Sequence, residues 1–360
     1  MRYLSIPILL LFILICLYSC SIVQQPDYSH AITESKRMLD SLIIDGKVAG
    51  IDAAIAIDGK IVWSEAFGYA DLENMKPVVN GKTKFRIGSV SKPLTSAAIG
   101  KLMDENKLDL DQPIQTYVPY FPLKKYPITV RQVAGHLAGI RHYRGEEFLL
   151  SKRYDTVKEG LEIFQNDTLL FEPASQFSYS SYGFNLISAV VEGASGQDFL
   201  TYMEQEIFEP LDMKSTCADE NYRIIPNRTS FYAYDSLDGL INAPYVDNSY
   251  KWAGGGFIST TTDLIKFANA HRKPGFLTET TLNELITTQT TDDGDTTNYG
   301  IGWQDFYEPN VFGHGGGSVG GITAFWIYQD FDLILVLLSN SSSTDYGTVP
   351  KRIRQLFSES

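Results

Sequence analysis

The stretch that decides the fold is VAGIDAAIAIDGKIVWSEAFGYAD, residues 48–71. Two runs rich in apolar and aromatic residues flank Asp58-Gly59, a dipeptide typical of tight hairpin turns. The stretch therefore predicts two antiparallel strands joined at Asp58-Gly59. The amphipathic segment ahead of it, residues 34–47, predicts a helix that ends at Gly46.

A second hairpin is predicted near the other end of the chain. The run ITAFWIYQDFDLILVLLSN, residues 322–340, is expected to turn at residues 329–332, and VPKRIRQLFSE, residues 349–359, predicts a closing helix. Between the hairpins, the chain reads mainly as helical segments that Pro and Gly interrupt. This order predicts an α/β (α+β) fold, in which both termini build one antiparallel sheet flanked by helices. An all-helical insertion is expected at roughly residues 95–250.

Composition indicates a folded, acidic protein. Of the 360 residues 44% are apolar, which is enough for a large core, and the formal net charge is −13. Phosphate binding needs a basic surface, so no nucleic acid partner is expected. The chain has three cysteines, and Cys217 lacks an intramolecular partner if the two N-terminal cysteines belong to an export signal.

The first residues predict export. Arg2 precedes an apolar run from Ile6 to Leu17 that is short for a stable membrane span. LYSC, residues 17–20, resembles a bacterial lipobox. We therefore expect a signal peptide over residues 1–19, lipid attachment at Cys20, a tether over residues 20–32 and a folded domain over residues 33–360. The protein would then be an anchored lipoprotein facing the periplasm or cell surface; the alternative is a plain signal anchor.

The stretch FRIGSVSKPLTSAAIGKLMDENKLDL, residues 85–110, carries a candidate nucleophile. Pro93 fits only the first turn of a helix, which places the helix start near Ser91. Residues three apart face each other there, so Ser89 can face Lys92, whereas Ser91 cannot. A serine needs a base to take its proton, and a lysine can serve if burial and the helix start keep its amine neutral. By itself this short motif also arises by chance.

A competing nucleophile motif lies at residues 316–320, GGSVG. The G-x-S-x-G elbow needs a helix directly after the serine and a histidine later in the chain. A strand is expected after Ser318, and no histidine follows His314. The same run contains G-x-G-x-x-G, but without a following helix it does not predict a dinucleotide site. Neither motif is expected to be functional.

Two further stretches support Ser89. In FEPASQFSYSSYGFNLISAVVEGASG, residues 171–196, Tyr179 and Ser181 precede an amphipathic helix. In VFGHGGGSVGGITAFW, residues 311–326, His314 heads a glycine run that leads into a strand. Glycines there would let a substrate lie against the strand edge, where the amide of Gly317 could donate to an oxyanion.

Together these stretches resemble the serine β-lactamase-related family, close to class C β-lactamases and penicillin-binding D,D-peptidases. SVSK, residues 89–92, is similar to the family's S-x-x-K motif. YSS, residues 179–181, stands at its Y-x-N place, and HGG, residues 314–316, at its K-T-G or H-x-G place. Supporting segments of the family resemble VAGHLAGIRHY, IFEPLDMKST and AGGGFISTTTDLIKFA, at residues 133–143, 207–216 and 253–268.

The resemblance implies a five-stranded antiparallel sheet between helices, a helical region beside it and a site in the cleft. It implies that Ser89 is the acylated nucleophile, Lys92 its base or proton shuttle, and Tyr179 a second base. Which of the two takes the first proton stays open. The amides of Ser89 and Gly317 would form the oxyanion hole.

For substrate binding, the resemblance implies contacts from His314, Gly315, Gly316 and Ser181. Ser181 stands where many members have Asn, which shortens or removes a hydrogen bond to a β-lactam amide. His314 stands where penicillinases usually have Lys, which weakens carboxylate binding above the histidine pKa of about 6.5. These departures favour an esterase or peptidase over a true β-lactamase. A wall-binding lipoprotein with little turnover is the alternative from a different class.

No cofactor or metal is expected. His136 and His142 have no acidic partner at metal-ligand spacing, so they are interpreted as core or loop residues. Tyr143 and Tyr232 are candidates for the cleft wall. The expected partners are a small-molecule or peptide acyl substrate, with peptidoglycan as one source, and a membrane reached through the lipid at Cys20.

Overall fold

The computed structural model describes residues 26–305 and 310–360. The predicted signal peptide, the lipid site at Cys20 and the first part of the tether lie outside the described residues. Helix α1 (Ser29–Ile44) begins four residues inside the predicted tether, because the segment from residue 29 already carries the amphipathic pattern. In the part of the chain that the structure describes, no helix is both long and apolar enough to span a bilayer.

In residues 26–305 and 310–360, twelve strands form three sheets. Their bounds are β1 (Gly50–Ile57), β2 (Lys60–Asp71), β3 (Lys76–Pro77), β4 (Phe85–Arg86), β5 (Cys217–Ala218), β6 (Tyr232–Asp235), β7 (Gly239–Asn242), β8 (Phe257–Ser259), β9 (Gln304–Asp305), β10 (Val311–Ser318), β11 (Gly321–Tyr328) and β12 (Leu333–Ser339). The main sheet has the order β3-β2-β1-β12-β11-β10-β9, and every pairing in it is antiparallel. Strands from both ends of the chain therefore meet at the β1–β12 pairing, which confirms the predicted fold class. Five long strands make this sheet, and the two-residue strands β3 and β9 extend its edges.

Helices cover both faces of the main sheet and fill the middle of the chain. After α1 they are α2 (Ser91–Asp104), α3 (Val130–Ala134), α4 (Val157–Leu161), α5 (Ser181–Ser195), α6 (Phe199–Met203), α7 (Trp252–Gly255), α8 (Thr261–His271), α9 (Glu279–Ile286) and α10 (Val349–Ser358). Between residues 95 and 250 the chain contains helices, strand β5, which pairs with β8, and the hairpin β6–β7, so the expected insertion also contains strands.

Both predicted hairpins are present. Asp58 and Gly59 each have a positive φ, 50° and 77°, as a type I′ turn requires, and Ile57 pairs with Lys60. The second turn spans residues 329–332 and closes with Asp332 at φ 45°. Ser318 ends β10, and the strand β11 follows it, so the G-x-S-x-G match is not a nucleophile elbow.

Strand β12 divides the core. All seven of its residues are buried, and alternate side chains pack on opposite faces of the sheet. Leu333, Leu335 and Leu337 join the cluster beneath α1 and α10, whereas Ile334, Val336 and Leu338 join the larger cluster beneath α2, α5 and α8. The sheet is thus a middle layer on which α8 packs through β1 and β12 and the turn Gly88–Val90 packs through β10 and β11.

Glycines let strand β10 lie against the segment that carries Ser89. A Cβ on Gly316 would overlap the carbonyl oxygen of Ile87. Gly88, at φ +51°, faces Gly317, and a Cβ there would come within 2.6 Å of the Gly317 oxygen. This backbone-to-backbone contact sets the distance between Ser89 and the open edge of β10.

We expect the neighbouring glycines of β10 to respond differently to a methyl group. Gly316→Ala should destabilise the protein by roughly 1–3 kcal/mol, because the new Cβ forces β10 away from Ile87. Gly315→Ala is the matched control, since the nearest heavy atom to its Cβ would be 3.8 Å away. Its effect should stay within about 0.5 kcal/mol. Denaturant unfolding of both variants measures the difference, and equal losses would contradict the packing described.

Candidate active site

Ser89 sits in a 3₁₀ turn, Gly88–Val90, that runs directly into α2. Pro93 occupies the first turn of α2, where its missing N–H costs no hydrogen bond. Ser89 and Lys92 are three residues apart on this continuous turn, and the Lys92 Nζ lies 3.1 Å from the Ser89 Oγ. The structure therefore brings the predicted nucleophile and base into contact.

Lys92 is fully buried and held by neutral groups. Its Nζ donates to the carbonyl oxygen of Gly254 at 2.7 Å and lies 3.3 Å from the Ser181 Oγ. Among the described residues no carboxylate forms an ion pair with it. Burial lowers the pKa of Lys92 well below its usual 10.5, and the nearby charge of Lys251 lowers it further. Burial therefore favours the neutral amine, which can accept the Ser89 proton.

Tyr179 lies just before helix α5 and contacts Ser89 from there. Its hydroxyl donates to the Ser89 Oγ at 2.9 Å, and its ring packs against the His136 ring with centroids 4.4 Å apart. Burial raises the pKa of the Tyr179 phenol, so the hydroxyl keeps its proton. The two environments separate the roles that the sequence left open. Lys92 is suited to take the first proton and Tyr179 to deliver one.

The amide of Gly317 points to the open edge of β10. Gly313 pairs with Gln304 of β9, and the Gly315 N–H donates to the Gln304 side chain at 2.9 Å. Alternate residues of an antiparallel strand direct their amides to the same side, so the Gly317 N–H faces this edge too. Gly317 is exposed there and packs against Gly88, next to the nucleophile. This placement fits the predicted oxyanion donor.

Gly315 and Gly316 contribute to the packing of β10. The Gly315 amide donates to the Gln304 side chain, and Gly316 is buried against the Ile87 carbonyl. The substrate contacts expected of these two residues stay predictions.

Ser181 contacts the candidate base. It begins α5, is 4% exposed and directs its Oγ toward the Lys92 Nζ. Its backbone amide donates to the His142 Nδ1 at 3.1 Å. The side chain therefore helps to position Lys92, and its contact with a substrate stays a prediction.

His314 packs beside the Tyr179 ring, and its contact with a substrate stays a prediction. It is 1% exposed, and its Nδ1 must donate to the Gly315 carbonyl, because a carbonyl oxygen only accepts. The Nε2 is then an acceptor and receives the Tyr299 hydroxyl at 2.9 Å. Burial lowers the pKa of His314 to about 3, which leaves it neutral. It supports the ring cluster under the site and cannot offer a charge to a carboxylate.

Several residues of the site were not identified from the sequence. His136 supports the Tyr179 ring, and its Nδ1 accepts the Ser180 amide at 3.2 Å. The Gly254 carbonyl accepts a hydrogen bond from Lys92, and the Tyr299 hydroxyl donates one to His314. Gly254 and His136 had a signal, because they lie in the quoted segments AGGGFISTTTDLIKFA and VAGHLAGIRHY. The other contacts join residues that are far apart in sequence.

The two tyrosines predicted to line the cleft wall lie in different parts of the structure. The Tyr143 ring stacks on the ring of His142 with centroids 4.4 Å apart, close to Ser181. Tyr232 is 2% exposed and bonds to the Leu72 amide and the Glu73 carboxylate, so its assignment to the wall is wrong. Within the described residues no group of His, Cys, Asp and Glu is arranged to hold a metal ion.

The family described as Beta-lactamase matches residues 35–357. The mitochondrial serine beta-lactamase-like protein LACTB of Mus musculus is 38% identical over 318 residues, which cover 68% of this chain and 57% of that protein. Penicillin-binding protein 4* of Bacillus subtilis (strain 168) is 28% identical over 308 residues, covering 80% of this chain and 67% of that protein. The chain thus spans little more than half the length of LACTB.

Two solved structures share the fold. The D-amino acid amidase from Ochrobactrum anthropi SV3 superposes with a TM-score of 0.80 at 22% identity, covering 92% of this chain and 99% of that one. The octameric penicillin-binding protein homologue from Pyrococcus abyssi superposes with a TM-score of 0.78 at 23% identity, covering 91% of this chain and 77% of that one. Since one family match spans nearly all the described residues and the fold agrees, the chain belongs to the Beta-lactamase family, the serine β-lactamase-related hydrolases.

Proposed function

We propose that this protein is an exported, lipid-anchored serine hydrolase that works through an acyl-enzyme on an ester, an amide or a D-amino-acid peptide. The observation that carries the proposal is the contact of the Ser89 Oγ with both the Lys92 Nζ, at 3.1 Å, and the Tyr179 hydroxyl, at 2.9 Å. Solved structures of this fold include a D-amino acid amidase and a D-stereospecific amidohydrolase. The activities of these two proteins support an acyl substrate here.

The geometry accounts for each step of such a reaction. Lys92 takes the proton as the Ser89 Oγ attacks the acyl carbon, and the amides of Ser89 and Gly317 receive the negative charge on the carbonyl oxygen. The protonated Lys92 and the Tyr179 hydroxyl can then pass a proton to the leaving group. Water repeats the attack on the ester of Ser89 and returns the serine.

The second candidate is a wall-binding protein that is acylated but turns over slowly. The observation that favours it is the burial of Ser181, which leaves the Asn place of the family without a group that reaches the acyl amide. Stoichiometric labelling by a β-lactam without release of product would favour this candidate. Rapid hydrolysis of a chromogenic cephalosporin would instead indicate a true β-lactamase, the least favoured reading.

We expect a fluorophosphonate probe to form one adduct on residues 21–360, visible by intact-protein mass. Ser89→Ala should abolish the adduct, because the probe's phosphorus bonds to the activated Oγ as fluoride leaves. The matched control is Ser318→Ala, whose hydroxyl lies in the rejected G-x-S-x-G run and bonds to the Gly321 carbonyl. The control should be labelled normally. A folded wild-type protein that remains unlabelled would refute the hydrolase proposal.

The labelling rate should rise with pH as Lys92 loses its proton. Because burial lowers the pKa of Lys92, the neutral base is present on the alkaline side of that lowered pKa. Half of the maximal rate should be reached well below pH 10.5. In Lys92→Arg the side chain stays protonated, so labelling should be at least about 100-fold slower. A wild-type midpoint near the usual lysine pKa would contradict a buried neutral base.

The lipid anchor can be tested on the full chain expressed in a bacterial host. Radioactive palmitate should be incorporated into the wild-type protein and should fractionate with membranes. Cys20→Ser should remove the label, whereas Cys16→Ser, inside the proposed signal, should keep it. Equal labelling of both variants, or label in neither protein, would exclude lipid attachment at Cys20.

A further inference from the structure

Lys251 is a buried lysine without a carboxylate partner among the residues that the structure describes. It ends the 3₁₀ turn Ser249–Lys251 and is 2% exposed. Lysine is almost never this buried unless it is paired. In residues 26–305 and 310–360 no carboxylate forms an ion pair with its Nζ, and no oxygen accepts a hydrogen bond from it. The ammonium group therefore lacks the compensation that burial of a charge requires.

Three aromatic rings surround the Lys251 ammonium. The Nζ lies 4.5 Å from the centroid of Phe148, 5.3 Å from that of Tyr250 and 5.8 Å from that of Tyr143. Ring faces attract a cation but offset only part of the cost of its desolvation. They also leave the three N–H donors without oxygen acceptors. Such an enclosure orients the ammonium and leaves it available to an anion.

The enclosure adjoins the reaction centre. Lys251 is three residues before Gly254, whose carbonyl holds Lys92. The Tyr143 hydroxyl bonds to Ser181, which lies 3.3 Å from the Lys92 Nζ. The charge of Lys251 reaches the site, since it lowers the pKa of both Lys92 and the exposed His142. A substrate bound at Ser89 would therefore lie near this cation.

Arg86 and Asp219 are charged groups that act on Lys251. Arg86 and Arg228 both pair with Asp219, at 2.6 and 3.1 Å. Arg86 lowers and Asp219 raises the pKa of Lys251, which burial brings down to about 7. Because burial is the largest cause, an anion bound next to the Nζ would favour its protonated form.

We propose that Lys251 is the anion-recognition residue of the cleft and binds a carboxylate carried by the acyl substrate. The inference rests on the proposed hydrolase function and specifies its substrate class. A neutral His314 cannot bind a carboxylate through charge, and the proposal assigns this role to Lys251. A bound carboxylate would fill the N–H positions that the rings leave open, and its charge would be compensated by the ammonium.

The test compares esters that differ in one charge. The first pair is the mono-4-nitrophenyl ester of glutaric acid and 4-nitrophenyl pentanoate; the second is 3-carboxy-4-nitrophenyl acetate and 4-nitrophenyl acetate. The wild-type protein should prefer the carboxylate-bearing ester of at least one pair, which also identifies the side of the scissile bond. Lys251→Met should lower that ratio of kcat/KM values by at least about tenfold. The ratio removes any effect on Lys92, because both esters use the same base.

The matched control is Lys158→Met. Its Nζ also lies over an aromatic ring, that of Tyr120 at 4.9 Å, but the residue is exposed. This variant removes the same charge from the protein and should leave the selectivity ratio unchanged. Equal ratios in the wild-type protein and Lys251→Met, for both ester pairs, would overturn the proposal. An equal loss in Lys158→Met would also overturn it, because only net charge would then matter.

A binding measurement separates this inference from the hydrolase proposal. In Ser89→Ala, which cannot be acylated at residue 89, glutarate should raise the thermal unfolding midpoint, whereas glutaramide should not. Adding Lys251→Met should abolish the shift. The single variant Lys251→Met should itself unfold at a higher temperature than the wild-type protein, because it removes an uncompensated buried charge. If the wild-type protein is not labelled by the probe but glutarate still raises the unfolding midpoint, only the hydrolase proposal is refuted. If the protein is labelled but glutarate does not raise the midpoint, only the anion site is refuted.

Discussion

The site depends on the burial of the Lys92 amine without a carboxylate partner. A fully enclosed lysine that met an aspartate would remain an ammonium and could not accept a proton. Here its polar neighbours are the Gly254 carbonyl and the hydroxyls of Ser89 and Ser181, so the neutral form is favoured. The sheet, α2 and α5 close around this amine. Their packing therefore sets its chemistry as well as its position.

A second constraint is the neutrality of the rings beneath Tyr179. Tyr299 donates to His314, and His136 and His314 are both buried with lowered pKa values. An imidazolium there would disfavour the cation that Lys92 becomes during acylation. Because burial lowers the pKa of both histidines, neither is expected to add positive charge beneath Tyr179.

The sequence predicted the secondary structure at both ends of the chain and the identity of the reacting pair. The Asp58-Gly59 turn, the second hairpin and the closing helix all follow from local preferences. Ser89 and Lys92 could be paired because helix geometry relates residues three apart. The roles of Gly315, Gly316, Ser181 and His314 could not be predicted in this way. Each depends on a partner distant in sequence, such as Gln304, Ile87, Lys92 or Tyr299.

By itself the sequence determined the antiparallel sheet from both termini, the start of α2 and the Ser89–Lys92 spacing, because these are set by short-range backbone geometry. The tertiary structure alone decided which groups are charged. Burial changes the pKa of Lys92, Tyr179, His314 and Lys251 in directions that depend on the surrounding atoms. A motif specifies which side chains are present. Their protonation follows from desolvation, which exists only once distant segments have packed together.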